Sequence, residues 1–106
     1  MGIEVYAVDK KSHQPIWAQL AAVIFGELNR RQLKVGEFIW SIRRLAEVNN
    51  VSVTAMARAF KILVEKGVLK SIPQRGYVVG PKATIVARQL LNQHLYDLKI
   101  MSKQMH

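Results

Sequence analysis

A mainly α-helical fold with one small β-hairpin is predicted by three features of this 106-residue sequence. Residues 41–67 contain two short helical patterns separated by a polar turn. Two short apolar runs, 68–70 and 77–79, flank a second turn directly afterwards. Beyond Gly80-Pro81, residues 83–105 contain neither proline nor glycine. The sequence therefore predicts a winged helix-turn-helix followed by a C-terminal dimerisation helix.

The N-terminal part is predicted to form a short edge strand and a first helix. Residues 4–8 alternate polar and apolar side chains, which is typical of a strand. Pro15 is suited to a helix start, where its missing N–H is no loss. Trp17 is expected to anchor the core or an interface rather than to stack on a ligand. The apolar face of this helix comprises Ile16, Trp17, Leu20, Val23, Ile24 and Leu28.

The second and third helices are bounded by residues suited to helix ends. Ser41 and Ser52 are N-cap candidates, because a serine hydroxyl accepts a hydrogen bond from the first turn. Asn50 is suited to the turn between the helices because asparagine tolerates the left-handed conformation. Gly67 is expected to close the third helix. The predicted inward residues are Ile42, Leu45, Ala46, Met56, Ala59, Phe60 and Leu63.

The segment after Gly80-Pro81 is predicted to be a separate element, so that residues 1–80 form the winged domain and 81–106 a helical dimerisation segment. Its apolar residues recur alternately four and three apart, as in a heptad seam. A homodimer contact is favoured, because so short a chain cannot bury this surface alone. The alternative is a helix that folds back on the winged domain. The predicted dimer residues are Leu91, His94, Leu98 and Met101, with His94 as a satisfied polar group.

The charge of the chain favours a polyanionic partner. The formal net charge is +9, and residues 41–75 carry seven basic against two acidic side chains, which is five of those nine net charges. Lysine and arginine side chains that neutralise phosphates release condensed counterions and so favour nucleic-acid binding. An inert basic surface is the alternative, since net charge alone does not define a partner.

Catalysis, metal binding and membrane insertion find no support in the sequence. There is no cysteine, and the three histidines are far apart, so we expect no metal site and no cofactor. The carboxylates show no paired spacing, and a glycine-rich phosphate loop is absent. We therefore expect no catalytic residues. No apolar run is long enough to cross a membrane, and the first residues lack the basic start of a signal peptide, so a cytoplasmic location is expected.

Short motifs follow one another in a recognisable order between Val8 and Val79. They are Asp9, Ser12 and the segment 15–20, then 33–37, 41–46, Val51-Ser52, Ala59-Phe60, Leu63, Gly67, and Gly76 with Val79. Together they resemble the DNA-binding domain of the GntR family of bacterial transcription regulators. The short helical tail resembles the YtrA-like branch, whose members have no large effector-binding domain and dimerise through C-terminal helices.

This resemblance implies that double-stranded DNA is the partner. It places Arg43 at the DNA from the second helix, Thr54 and Arg58 at the groove face of the third helix, and Arg75 with Gly76 at the wing tip in or near the minor groove. The residues themselves add exposed neighbours on the same elements. The complete predicted DNA-binding set is Arg43, Arg44, Ser52, Val53, Thr54, Arg58, Lys61, Arg75 and Gly76.

Four positions depart from the family pattern. Trp40 stands where proline is usual and is expected to pack under the second helix rather than to touch the DNA backbone. Val53 replaces a basic or polar residue, Ala55 replaces threonine, and Gln74 replaces the first glycine of the wing. Base reading is therefore expected to depend on Thr54, Arg58 and contact of Val53 or Ala55 with a thymine methyl.

Two functions remain open from the sequence. The first is a dimeric repressor that binds a pseudo-palindromic operator. The second is a winged-helix interaction module that binds DNA without sequence preference or binds another protein. The operator, the regulated genes and any small-molecule effector are not encoded in a recognisable motif.

Overall fold

The computed structural model describes residues 3–86, 88 and 89, and within them it confirms the predicted winged helix-turn-helix. A 3₁₀ turn, Ile3–Tyr6, precedes three helices: α1 (Ile16–Asn29), α2 (Ile42–Val48) and α3 (Val53–Glu65). The strands β1 (Leu69–Ile72) and β2 (Gly76–Val79) follow as an antiparallel pair. The fold is therefore mainly helical with one small sheet.

The core forms where α1, α2 and α3 meet the root of the hairpin. Leu45, Ala46 and all four inward residues predicted for α3 are buried, as expected from helical spacing. Fully burying one large apolar side chain stabilises the fold by roughly 1.5–3 kcal/mol. Trp17 is half-buried against this core, and the Lys66 ammonium lies 4.7 Å from the centroid of its ring. Trp17 thus anchors α1 to the end of α3, which confirms its predicted packing role.

Both predicted serine caps are present. Ser41 Oγ accepts a hydrogen bond of 3.1 Å from the Arg44 amide, and Ser52 Oγ accepts one of 3.0 Å from the Ala55 amide. Such caps stabilise a helix by about 1 kcal/mol each. Asn50 has φ 53°, so it adopts the left-handed conformation that the sharp turn requires. The connection between α2 and α3 is therefore specified by residues within the turn itself.

The predicted edge strand at residues 4–8 is wrong, because the chain there forms the 3₁₀ turn Ile3–Tyr6 and an irregular segment. The Asn49 side chain bonds to the backbone of this segment and of α2. Its Oδ1 accepts from the Val8 amide at 2.8 Å, and its Nδ2 donates to the carbonyls of Tyr6 at 3.3 Å and Leu45 at 2.9 Å. The N-terminal segment is thereby fastened to the end of α2.

The hairpin is confirmed, with a shorter turn than predicted. Its strands pair in a register from Leu69 opposite Val79 to Ile72 opposite Gly76, whereas the sequence suggested strands at 68–70 and 77–79. Three residues, 73–75, suffice for the turn because the Arg75 amide donates to the Ile72 carbonyl at 2.9 Å. We refer to the hairpin as the wing.

A segment before α2 is hydrogen-bonded along the free edge of β2. Phe38 forms a β-bridge with Val78, and the Ile39 amide donates to the Tyr77 carbonyl at 3.0 Å. The Tyr77 ring packs edge-on against Phe60 of α3, with ring centroids 4.9 Å apart. The wing is therefore joined both to the entry of α2 and to α3.

One carboxylate in α1, Glu27, is buried, which the sequence did not indicate. Its side chain is 4% exposed, and its Oε1 accepts a 2.6 Å hydrogen bond from Arg30 in an ion pair. Tyr6 is buried nearby. Desolvation, followed by repulsion from the carboxylates of Glu27 and Glu37, raises the pKa of Tyr6 to about 12. The phenol is thus held in its neutral form.

The chain after the wing begins a helix that touches the same core. Residues 83–86, 88 and 89 have helical backbone, Ala83 is buried and Val86 packs against the core. The predicted dimer residues Leu91, His94, Leu98 and Met101 lie outside the described residues. The dimerisation helix and the division at residue 80 therefore remain predictions. None of the helices in the described part combines the length and apolar character needed to cross a bilayer.

Candidate nucleic-acid interface

The solvent side of α3 presents polar and basic side chains along its length. Thr54, Arg58 and Lys61 are exposed, because helical periodicity directs them away from the buried face. Val53 is 48% exposed at the start of the helix, and the capping Ser52 is exposed before it. All five predicted residues of this element are thus accessible to a ligand.

Ala55 has a different environment from Val53. It is half-buried and lines an open groove of ≈ 190 Å³ together with Pro15, Ile16 and Arg58. A thymine methyl would reach Val53 more readily than Ala55, because Ala55 faces the start of α1. Of the two apolar candidates for base contact, the geometry favours Val53.

The two arginines of α2 are both exposed but differ in their contacts. The guanidinium carbon of Arg44 lies 6.0 Å from the centroid of the Trp40 ring, which is the outer limit of a cation–π contact. Trp40 is half-buried and packs against the core, which confirms its expected packing role. Arg43 has no corresponding aromatic contact among the described residues and extends from the exposed side of the helix.

The wing tip places Arg75 in solvent beside a strained residue. Arg75 is exposed and Gly76 is half-buried. Gln74 has φ 65°, a left-handed conformation that glycine adopts without cost and other residues adopt at roughly 1–2 kcal/mol. The turn is therefore kept although its usual glycine is replaced.

The exposed basic residues of α2, α3 and the wing tip form no ion pair with a carboxylate in the described part of the chain. The single ion pair found there joins Arg30 to Glu27, so Arg43, Arg58, Lys61 and Arg75 remain available to an external anion. The first turns of α2 and α3 contain no acidic side chain. The surface formed by α2, α3 and the wing tip can therefore accept phosphates without breaking an internal ion pair.

The sequence interpretation missed a loop beside α3 that carries two lysines. The Lys10 ammonium donates a 2.6 Å hydrogen bond to the carbonyl of Asn50, in the turn between α2 and α3. Lys10-Lys11 next to His13 was a visible basic signal. Its position beside α3 was not visible, because this contact joins residues 40 positions apart in the chain.

Comparisons with known proteins agree with this geometry. The chain is 33% identical over 70 residues, 66% of its length, to an uncharacterized HTH-type transcriptional regulator, YhdI, of Bacillus subtilis (strain 168), but it spans only 15% of the length of that curated relative. No family model matches the chain. The structure is similar to YtrA from Sulfolobus acidocaldarius, a GntR-family transcription factor, with 29% identity, a TM-score of 0.61, and coverage of 91% of this chain and 98% of that one.

A GntR family transcriptional regulator from Listeria monocytogenes has the same fold, with a TM-score of 0.67, 20% identity, and coverage of 92% of this chain and 86% of the other. The fold and its exposed surface thus define a winged helix-turn-helix protein. The resemblance to the GntR family of transcriptional regulators, including YtrA, is confirmed.

Proposed function

We propose that this chain is a sequence-specific DNA-binding transcriptional regulator. The observation that carries the proposal is the exposed surface of α3, with Thr54, Arg58 and Lys61, next to arginines on α2 and the wing that form no ion pair with the described residues. Transcriptional regulators are also what the similar proteins are named. As part of this proposal, the protein is not an enzyme, needs no cofactor and acts in the cytoplasm.

In this proposal α3 enters the major groove of double-stranded DNA. Arg58 and Thr54 face base edges, where a good bidentate contact discriminates by about 1–3 kcal/mol, and Val53 contacts a thymine methyl. Arg43, Arg44 and Lys61 neutralise phosphates, which fixes the register of the helix without reading sequence. Ser52 lies at the amino end of α3, and Arg75 with Gly76 reaches the adjacent minor groove.

The regulator is proposed to act as a homodimeric repressor. Two copies joined through residues 81–106 would present two α3 helices to a pseudo-palindromic operator. The half-sites would lie about one helical turn (~34–36 Å), or a multiple of it, apart. Occupation of promoter DNA would then exclude polymerase. Leu91, His94, Leu98 and Met101 are the proposed contacts between the copies.

Selection of bound duplexes from a random pool, followed by footprinting of the enriched sequence, tests the proposal. We expect an inverted repeat with two protected half-sites. An enriched pool without a repeat, or a footprint without protection at any salt concentration, would rule out the dimeric repressor.

A second function is favoured by three substitutions at the reading surface. Val53 and Ala55 lack hydrogen-bonding side chains, and Gln74 strains the wing turn. An interaction module would bind all duplexes alike or bind another protein. Competition between the selected and random duplexes across a salt series discriminates the two functions. A preference of ~10³-fold or more supports the regulator, whereas equal affinity at every salt supports the module.

A further inference from the structure

The loop of residues 9–14, here called the N-terminal loop, has a defined conformation although it is exposed. Gln19 of α1 holds both of its ends. The Asp9 amide donates to Gln19 Oε1 at 2.8 Å, and Gln19 Nε2 donates to the carbonyls of Asp9 at 3.1 Å and Gln14 at 2.9 Å. These bonds hold the loop at a fixed position relative to α1.

Internal hydrogen bonds shape the loop further. The Ser12 amide donates to the Asp9 carbonyl at 3.2 Å, the Lys11 amide donates to the Asp9 carboxylate at 2.9 Å, and the Gln14 amide donates to Ser12 Oγ at 3.1 Å. The Asp9 carboxylate thus helps to shape the loop through its bond with the Lys11 amide. The exposed side chains that remain free to meet a ligand include Lys11 and His13.

The loop lies directly beside α3. Lys10 bonds to the carbonyl of Asn50, three residues before α3 begins. At the other end of the loop, Pro15 and Ile16 share a groove with Ala55 and Arg58. The N-terminal loop therefore borders the amino-terminal half of α3, next to the arginine that is proposed to read bases.

The loop and the wing border opposite edges of the exposed surface of α3. Ala55 faces the start of α1, whereas Phe60 contacts Tyr77 of the wing. At about 100° per residue, Thr54, Arg58 and Lys61 fall between these two edges on the solvent side. A duplex that lies on this surface would meet the wing at one edge and the N-terminal loop at the other.

We propose that the N-terminal loop is an additional phosphate-binding element in which Lys11 contacts the DNA backbone. Lys10 positions the loop through its bond to Asn50, and its positive charge adds to the attraction for phosphate. The proposal rests on the DNA-binding function proposed above. The DNA backbone would then be contacted at both edges of the exposed surface of α3, by the wing at one edge and by the N-terminal loop at the other. The contact reads no bases, because a lysine on a phosphate carries no sequence information.

The test compares Lys11→Gln with Lys34→Gln in the full chain, using the duplex enriched by selection. Both changes remove one positive charge from an exposed lysine. Lys34 follows the far end of α1, a helix of 14 residues and hence about 21 Å long. We expect Lys11→Gln to flatten the slope of log K against log salt by ~0.9 for each phosphate that the chain no longer neutralises, and Lys34→Gln to leave the slope unchanged.

Ethylation interference locates the contact. Lys11→Gln should lose its sensitivity to ethylation at one set of phosphates, and Arg75→Gln at another. The two sets should lie on opposite sides of the half-site. Equal slopes and equal interference patterns for Lys11→Gln and Lys34→Gln, with the selected duplex still bound, would overturn the N-terminal loop alone. Failure of the unchanged chain to bind any duplex would overturn the proposed function and the loop together.

A charge-neutral variant separates position from charge. Gln19→Leu removes the hydrogen bonds that hold Asp9 and Gln14 while all lysines remain. We expect interference to disappear at the same phosphates as in Lys11→Gln, in a chain that stays folded at the assay temperature although the lost hydrogen bonds lower its thermal midpoint. If Gln19→Leu retains every interference position, Gln19 does not position the loop and that part of the proposal is wrong.

Discussion

At the scale of single residues, the exposed arginines have two different settings. Arg58 lies on the solvent side of α3 beside the groove that Ala55 lines, whereas Arg43 lies on the outer side of the short helix α2. In a helix-turn-helix, residues of the helix that enters the major groove meet base edges, and residues of the helix before it meet the DNA backbone. The two positions therefore predict different binding defects.

We expect Arg58→Ala to weaken binding to the selected duplex much more than to random duplexes, by about 1–3 kcal/mol. Arg43→Ala should weaken binding to all duplexes about equally and flatten the salt slope by ~1. Fluorescence anisotropy titrations at several salt concentrations measure both effects. If neither change alters affinity, the DNA lies on another surface of the domain.

Tyr6 predicts an alkaline limit of stability. Burial raises its pKa from 10.0 to about 12, so the unfolded chain loses this proton at lower pH than the folded chain. The stabilisation by neutral Tyr6 is complete below pH 10 and is lost as the pH rises towards 12. Urea unfolding at a series of pH values should show this loss, with a slope of at most about 1.4 kcal/mol per pH unit from this group.

Replacement of the phenol isolates its effect. Tyr6→Phe should remove this component of the alkaline slope, and Tyr77→Phe serves as the matched control because Tyr77 lies on the wing. An unchanged slope in Tyr6→Phe would show that other groups cause the alkaline loss.

At the scale of elements, the junction between α3 and the wing depends on Gly67 and Gly80, which lie against each other in the fold. A Cβ on Gly80 would lie against the carbonyl oxygen of Gly67, well inside van der Waals contact. That carbonyl accepts from the Lys82 amide at 3.1 Å, and the Gly80 amide donates to the Val68 carbonyl at 2.7 Å. The obstacle at Gly80 is therefore steric and involves backbone that cannot easily move.

Gly36 presents the contrasting case. It has φ 90° and open space around its Cα, so its constraint is conformational. We expect Gly36→Ala to lower the free energy of unfolding by about 1–2 kcal/mol and Gly36→Asn by less, because asparagine tolerates positive φ. Gly80→Ala and Gly80→Asn should both lower it by about 1–3 kcal/mol. Chemical denaturation of the four variants measures this, and recovery in Gly80→Asn would contradict the steric explanation.

The helix-turn-helix and the hairpin were predictable because local chemistry specifies them. Ser41 and Ser52 cap their own helices, and Asn50 supplies the left-handed turn between them. The course of the N-terminal segment was not predictable, since the hydrogen bonds that fasten Val8 and Tyr6 come from Asn49, 41 and 43 positions away. A five-residue alternation contains no information about such a distant partner.

The candidate interface was likewise predictable where local sequence patterns specify it. Helical spacing and the family resemblance together placed Thr54, Arg58 and Lys61 on one exposed surface. The N-terminal loop was missed, because only the folded chain brings Lys10 to Asn50. The burial of Glu27 was also missed, because a Glu–Arg pair three residues apart does not show whether the carboxylate faces solvent or the core.

At the scale of the whole molecule, the assembly prediction belongs to residues outside the described part. The heptad spacing favours a homodimer, so Leu91→Asp and Leu98→Asp should each give monomers, because a charge in an apolar seam is left without a partner. Gln93→Asp, off the seam by the same spacing, should remain dimeric. Light scattering after size exclusion measures the mass, and dimers of both leucine variants would place the interface elsewhere.

The hairpin has a fixed base and an independent tip. Its base is bonded to Phe38 and Ile39 and packed on Phe60, whereas the three tip residues 73–75 are exposed. Mutations in the base must preserve the core, but the tip can change in sequence or length without that penalty. Evolution, or an engineer, can therefore exchange these three residues and alter the proposed contact of the wing with DNA while the folded domain stays intact.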